Sequence, residues 1–139
     1  MEITYTIDGN PIQWRPHLQK NNKQEENKSS GHKVALSILR ELYPTLIILE
    51  EITIPIRAKD WAFLDIYIPL LKMAIEINGQ QHYKFNAHFH STNRDFLLQK
   101  LRDKQKREWC TINNIKLIEL NTKEQNQWKK ILQNHNSKE

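Results

Sequence analysis

The chain lacks the features of a disulfide-stapled or membrane-spanning protein. Its single cysteine, Cys110, cannot form an intramolecular disulfide or a cysteine-rich zinc site. No apolar run approaches the ~20 residues of a membrane-spanning helix. The opening residues, Met1-Glu2-Ile3-Thr4-Tyr5, lack the basic-then-apolar order of a secretory signal, so a cytoplasmic, intracellular protein is expected. No internal repeat is visible. Residues 19–30, QKNNKQEENKSS, carry no apolar side chain; with nothing to bury, they read as a polar linker or loop.

What is present is 139 residues, the size of one domain with a real core. Hydrophobic residues make up 38% and charged residues 27%, polar for a globular domain but short of a disordered chain. The formal charge is +5 and the pI about 9.3. That balance points to a polyanionic partner, nucleic acid first, although ordinary solubility charge gives the same total.

Punctuation and periodicity divide the chain. Ile3, Tyr5 and Ile7 alternate with polar residues, Asp8-Gly9 is a turn signal, and Ile12 and Trp14 make a return strand. Residues 1–28 therefore read as a hairpin plus linker, and 29–139 as the main domain. Ser29 and Ser30 offer caps for a helix over 31–43, in which Ala35, Ile38, Leu39 and Leu42 form one apolar stripe that Pro44 stops. Leu46 to Ile54 reads as a strand closed by Pro55. Residues 62–68 and 73–78 read as two more strands, 93–113 as a long charged helix, Ile115 to Leu120 as a strand and Glu124 to Leu132 as a final helix. The order α-β-β-β-α-β-α predicts an α/β fold, a mixed sheet flanked by helices.

The chemistry concentrates between Phe63 and His82. If residues 69–72 form the turn, Ile68 pairs with Met73, and Asp65 comes opposite Glu76 with Cβ atoms about 5 Å apart. Two carboxylates that close repel unless they sit in water, share a proton or bridge a cation. Mg²⁺ is usually held by one or two carboxylates plus substrate phosphate. A plain solvent-exposed hairpin with two acids is the bland alternative. After Glu76 come Asn78, Gly79, Gln80, Gln81 and His82, which place hydrogen-bonding groups beside the proposed ion. His82 can orient or deprotonate a water near neutral pH. The His88-Phe89-His90 run, with His82 and Cys110, does not have the spacing of a known zinc pattern. Cys110 beside Trp109 reads as packing.

Asp65, the following turn, Glu76-Ile77-Asn78-Gly79-Gln80-Gln81-His82, and then Arg102-Asp103-Lys104 and Lys106-Arg107-Glu108-Trp109-Cys110 resemble the restriction-endonuclease-like PD-(D/E)XK superfamily. The resemblance is nearest to its branch of very-short-patch repair endonucleases and small phage and bacterial nuclease-like domains, and covers about residues 31–121. It implies a restriction-endonuclease-like fold and a metal-dependent endonuclease that hydrolyses phosphodiester bonds in DNA, nicking or cutting both strands, with Mg²⁺ or Mn²⁺ as cofactor. By the same resemblance Asp65 is a metal ligand, Glu76 the acid of the second motif, and the Ile77 carbonyl a further ligand. His82 matches the branch's histidine, and Asp103 an acid on the helix that follows. Two departures stand out. Asn78 occupies the place of the usual Lys, so Gln81, His82 or Lys84 would have to compensate. His32-Lys33 stand where an acid is common, and His32 is the residue there that could face the site.

Arg94, Lys100, Arg102, Lys104, Lys106 and Arg107 outnumber the two acids Asp95 and Asp103 over residues 94–107. With Lys84 they are the expected phosphate contacts. The alternative is the solvated face of an amphipathic helix that buries Leu97, Leu98, Leu101, Trp109 and Ile112. The competing function is a nuclease-fold protein without catalysis that grips nucleic acid or a protein. RNA in place of DNA, and monomer against homodimer, stay open.

Overall fold

A computed structural model describes residues 2–19, 29–79 and 92–136. Strands β1 (Glu2–Tyr5) and β2 (Pro11–Trp14) form an antiparallel hairpin, turned at Gly9 with φ +87°. Helix α1 (Ser30–Leu42) comes next, and residues 20–28 of the stretch expected to be a linker lie outside the described residues. Strands β3 (Leu49–Arg57), β4 (Asp60–Ile68) and β5 (Met73–Asn78) make a meander. Helix α2 (Asn93–Ile112) then leads to strand β6 (Lys116–Asn121), a 3-10 segment (Thr122–Gln127) and helix α3 (Trp128–Asn136). The protein is thus mixed α/β, with a four-stranded sheet in the order β3-β4-β5-β6. Its first two pairings are antiparallel, and β5-β6 is parallel.

Local chemistry accounts for most of these elements. The Ser29 side chain accepts from the His32 N–H at 3.1 Å and caps α1. Ala35, Leu36 and Leu39 turn the buried side of α1 onto Ile66, Ile68, Met73 and Ile75, and Trp128 and Leu132 of α3 complete this first core. Pro69–Leu71 and Lys72, whose φ is +50°, close the β4–β5 turn, and Ile68 pairs with Met73 as expected.

The other face of the sheet carries a second core. Trp14 of the hairpin lies at its centre, 2% exposed, with ring centroids 5.2 Å from Tyr67 and 5.0 Å from Trp109. Asn113 accepts from the Tyr5 N–H at 2.7 Å and donates to the Tyr5 carbonyl at 2.9 Å, so the hairpin shares the core of the main body.

Two expectations require correction. The strand does not close at Pro55, because β3 runs from Leu49 to Arg57 with a register shift between Pro55 and Arg57. An edge strand has no outer neighbour that needs the missing proline N–H. Gln19, expected in the linker, covers that outer edge: its amide accepts from the Thr53 N–H at 2.6 Å and donates to the Thr53 carbonyl at 3.0 Å. The second correction concerns α2. Leu97, Leu98, Leu101 and Ile112 are exposed, and burial begins at Asp103, Trp109 and Cys110. An apolar stripe is buried only where a second layer meets it, and the second core meets α2 at Trp109 and Cys110.

Candidate functional site

Side chains along a strand alternate between faces, and β3 and β4 both break that rule at the same level. Ile52, Ile54 and Leu64 belong to the second core, whereas Ile66 belongs to the first. Glu50 pairs with Ile66 and Ile52 with Leu64, leaving Glu51 and Asp65 between these pairs. Glu51 has φ +50°, the left-handed region that costs a non-glycine residue on the order of 1–2 kcal/mol. The switch of faces therefore falls on two acids.

At that level β4 and β5 also part. Backbone pairing between them is present at Ile68, Tyr67 and Ile66 and does not continue to Asp65. Side chains bridge the gap instead. The Asp65 N–H donates to Glu76 Oε2 at 2.7 Å, and the Ile77 N–H donates to Asp65 Oδ2 at 2.8 Å. Asp65 and Glu76 are thus brought together, each carboxylate accepting a backbone N–H of the other strand across the split ladder. Glu76 Oε1 meets the Lys106 ammonium at 2.7 Å. Burial, then the Asp65 charge, push the Glu76 carboxyl up to about 7, with Lys106 pulling the other way. Burial also raises the Cys110 thiol to about 12, so it stays protonated and gives no thiolate ligand.

Helix α1 supplies a third group. His32, 3% exposed in the first turn, places Nε2 2.9 Å from Glu50 Oε1. One ring nitrogen of His32, one oxygen of Glu51 and one oxygen of Asp65 lie within 4.8 Å of one another. Divalent cations take such donors at about 2.0–2.6 Å, so donors on one ion stand up to roughly 4–5 Å apart. Two carboxylates and an imidazole suit a divalent cation in charge and donor type. Glu76 is not in this group of three; its contacts are Lys106 and Asp65. Glu51 and Glu50 escaped the sequence reading. Their signal was two consecutive acids within a strand otherwise rich in Leu and Ile.

The remaining expected residues separate. Gln81, His82 and Lys84 lie outside the described residues. The Asn78 amide donates to Glu119 Oε1 at 3.2 Å, and Arg107 makes a two-point contact with the same carboxylate at 2.9 Å and 2.9 Å. The Ile77 side chain packs against the first core. Arg102 bonds Asp60 through two nitrogens at 3.2 and 3.0 Å. Lys106 belongs to Glu76. Lys100 lies 5.6 Å from the centroid of the Phe96 ring. Asp103 is buried, and Arg94 and Lys104 are exposed on α2. The expected row of phosphate contacts is therefore partly committed to internal ion pairs.

Among curated proteins, the chain is 49% identical over 57 residues to "Uncharacterized protein 307L" of Invertebrate iridescent virus 6, a match over 41% of this chain and 29% of that protein. It is 39% identical over 57 residues to "Uncharacterized protein 033L" of Invertebrate iridescent virus 3, again 41% of this chain and 29% of the relative. It is 47% identical over 58 residues to "Uncharacterized protein 094L" of Frog virus 3 (isolate Goorha), covering 41% of this chain and 37% of that protein. The chain thus spans about a third of the length of these viral relatives. No family model and no solved structure matches it. Among the described residues no helix is long and apolar enough to cross a membrane.

Proposed function

We propose that this protein is a divalent-cation-dependent endonuclease of the restriction-endonuclease-like kind, acting on DNA. The observation that carries the reading is the gathering of His32, Glu51 and Asp65 at the split between β4 and β5, with the Glu76–Lys106 pair beside Asp65. The α-β-β-β-α-β order and the mixed sheet are consistent with it. A bound Mg²⁺ or Mn²⁺ would polarise a phosphoryl oxygen and lower the pKa of a water.

The chain's own residues divide the work. His32, Glu51 and Asp65 would hold the cation. Glu76 accepts the Asp65 N–H and so keeps the two strands in the parted arrangement that positions Asp65. Lys106 supplies a positive charge that Asn78 lacks, held against Glu76. Arg94 and Lys104 remain available to the phosphate backbone.

Supercoiled plasmid with Mg²⁺, Mn²⁺ or EDTA tests the reading. Nicked or linear product is expected with a cation and none with EDTA. The Asp65→Asn variant should lose cleavage while keeping its fold. Cleavage at the wild-type rate by Asp65→Asn refutes the mechanism. The second reading, a nuclease-fold binder without catalysis, is favoured by Asn78 itself, which is engaged with Glu119. Retention of DNA on a gel with no cleavage under any cation supports it. A parallel RNA substrate decides between the two nucleic acids.

A further inference from the structure

We propose that Trp61 and Phe63, successive outward residues of β4, form a stacking platform for the unpaired bases of single-stranded DNA. This rests on the nucleic-acid reading under the proposed function and adds the class of substrate, a strand whose bases are free of partners.

Ala62 and Leu64 lie in the second core, so alternation turns Trp61 and Phe63 to the opposite face of the sheet. Helix α1 packs on that face at Ile66 and Ile68 and leaves Trp61 46% and Phe63 58% exposed. A lone exposed aromatic is ordinary, whereas two in consecutive outward positions make a patch. Asp65, two residues beyond Phe63, is one of the three grouped donors, so the patch runs on to the cation seat. Outward neighbours on a strand stand about 7 Å apart. The bases of a duplex repeat at about 3.4 Å and cover one another's faces, so a double helix offers this pair no free ring faces except at its ends. A single strand unstacks, and each base then has a π-face for an aromatic side chain, whatever the sequence. Charge fits the same occupant. Lys59 is exposed in the β3–β4 turn at the Trp61 end, and Lys33 is exposed beside His32 at the seat end. The acid next to Trp61, Asp60, is held by Arg102 at 3.2 and 3.0 Å. A phosphate backbone gains from both lysines and from a cation in the seat, which an apolar protein surface does not.

The test uses the full chain in EDTA, so that binding is read apart from cleavage. Of the four tryptophans, Trp14, Trp109 and Trp128 are no more than 2% exposed. Trp61 is therefore the one a bound base can touch, and quenching of intrinsic fluorescence reports it. The probes are a mixed-sequence DNA oligonucleotide, its duplex and the matching single-stranded RNA. The expected result is quenching by the DNA single strand, bound at least about tenfold tighter than the duplex. Trp61→Phe should keep the affinity and lose the quenching. Phe63→Ala should weaken single-strand binding about 5–150-fold; Phe63→Tyr, which keeps the ring, should recover most of that loss, and Phe63→Leu, apolar without a ring face, should not. Equal affinity for duplex and single strand, or a single strand bound by the wild type without quenching, overturns the proposal, and neither depends on a variant folding. Protection of Trp61 from acrylamide as protein concentration rises also overturns it, since a second copy would then cover the patch. Tighter binding of the RNA overturns the choice of DNA. Quenching by single-stranded DNA in a protein that cuts nothing under any cation leaves this proposal standing and removes the nuclease reading. Cation-dependent cleavage by a protein whose Trp61 senses no single strand does the reverse.

Discussion

Replacing Glu76 with glutamine should alter how stability depends on pH, and the size of the effect follows from the carboxyl's surroundings. Glu76 is 5% exposed. Burial and the neighbouring Asp65 charge raise its carboxyl from 4.5 to about 7, against the pull of Lys106. Below pH 4.5 the acid is protonated in folded and unfolded chains alike, and the stabilisation it contributes is fully present. As pH climbs towards 7 the unfolded chain releases the proton while the fold retains it, so the fold loses about 1.4 kcal/mol per pH unit. Over the interval the loss comes to about 3 kcal/mol and is complete once pH passes the folded value. The glutamine amide has no proton to release. The unfolding free energy of Glu76→Gln minus that of the wild type should therefore rise by about 3 kcal/mol between pH 4.5 and 7.5. Losing the Lys106 partner adds an offset that does not vary over this range. Urea denaturation of both proteins at half-unit pH steps measures the difference, and groups common to both cancel. A flat difference curve would refute the reasoning, because it would mean that Lys106 outweighs burial and keeps Glu76 ionised at pH 4.5.

Other expected outcomes concern the site and its surface. Glu51→Gly should lose divalent-cation binding in calorimetry while keeping the backbone turn, since glycine accepts φ +50° without strain. Unchanged cation affinity in that variant would count against Glu51 as a donor. Asn113→Ala removes both clamps on Tyr5 and should cost about 1–3 kcal/mol in urea denaturation, with earlier exchange of the β1–β2 amides. Lys104→Ala should weaken DNA binding and lower the log-log salt slope by about 1, whereas Arg107→Ala, which breaks a two-point bond to Glu119, should show up mainly in stability. Fluorescence anisotropy over a salt series separates these two effects.

Features set by neighbours along the chain were legible in the sequence. Alternation and a proline-started turn sufficed to pair Ile68 with Met73 and so to bring Asp65 towards Glu76, because hairpin register follows from turn length. Helical spacing of Ala35 and Leu39, with a serine cap, placed α1 and its buried face. Composition marked the cationic stretch of α2. It could not say which cations were already spent: Lys106 meets Glu76, Arg107 meets Glu119 and Arg102 meets Asp60 across sequence separations of 12 to 42 residues. Only tertiary packing decides such partners, since a long side chain reaches whatever the fold sets beside it. The same holds for the seat. His32, Glu51 and Asp65 come from a helix and two strands, and what gathers them is the packing of α1 on the sheet and a break in alternation that no local propensity for strand would suggest. Sequence by itself determined which segments form and which faces are apolar, because those depend on local sterics and period. The tertiary structure alone decided which charges meet, because that depends on where distant segments come to rest.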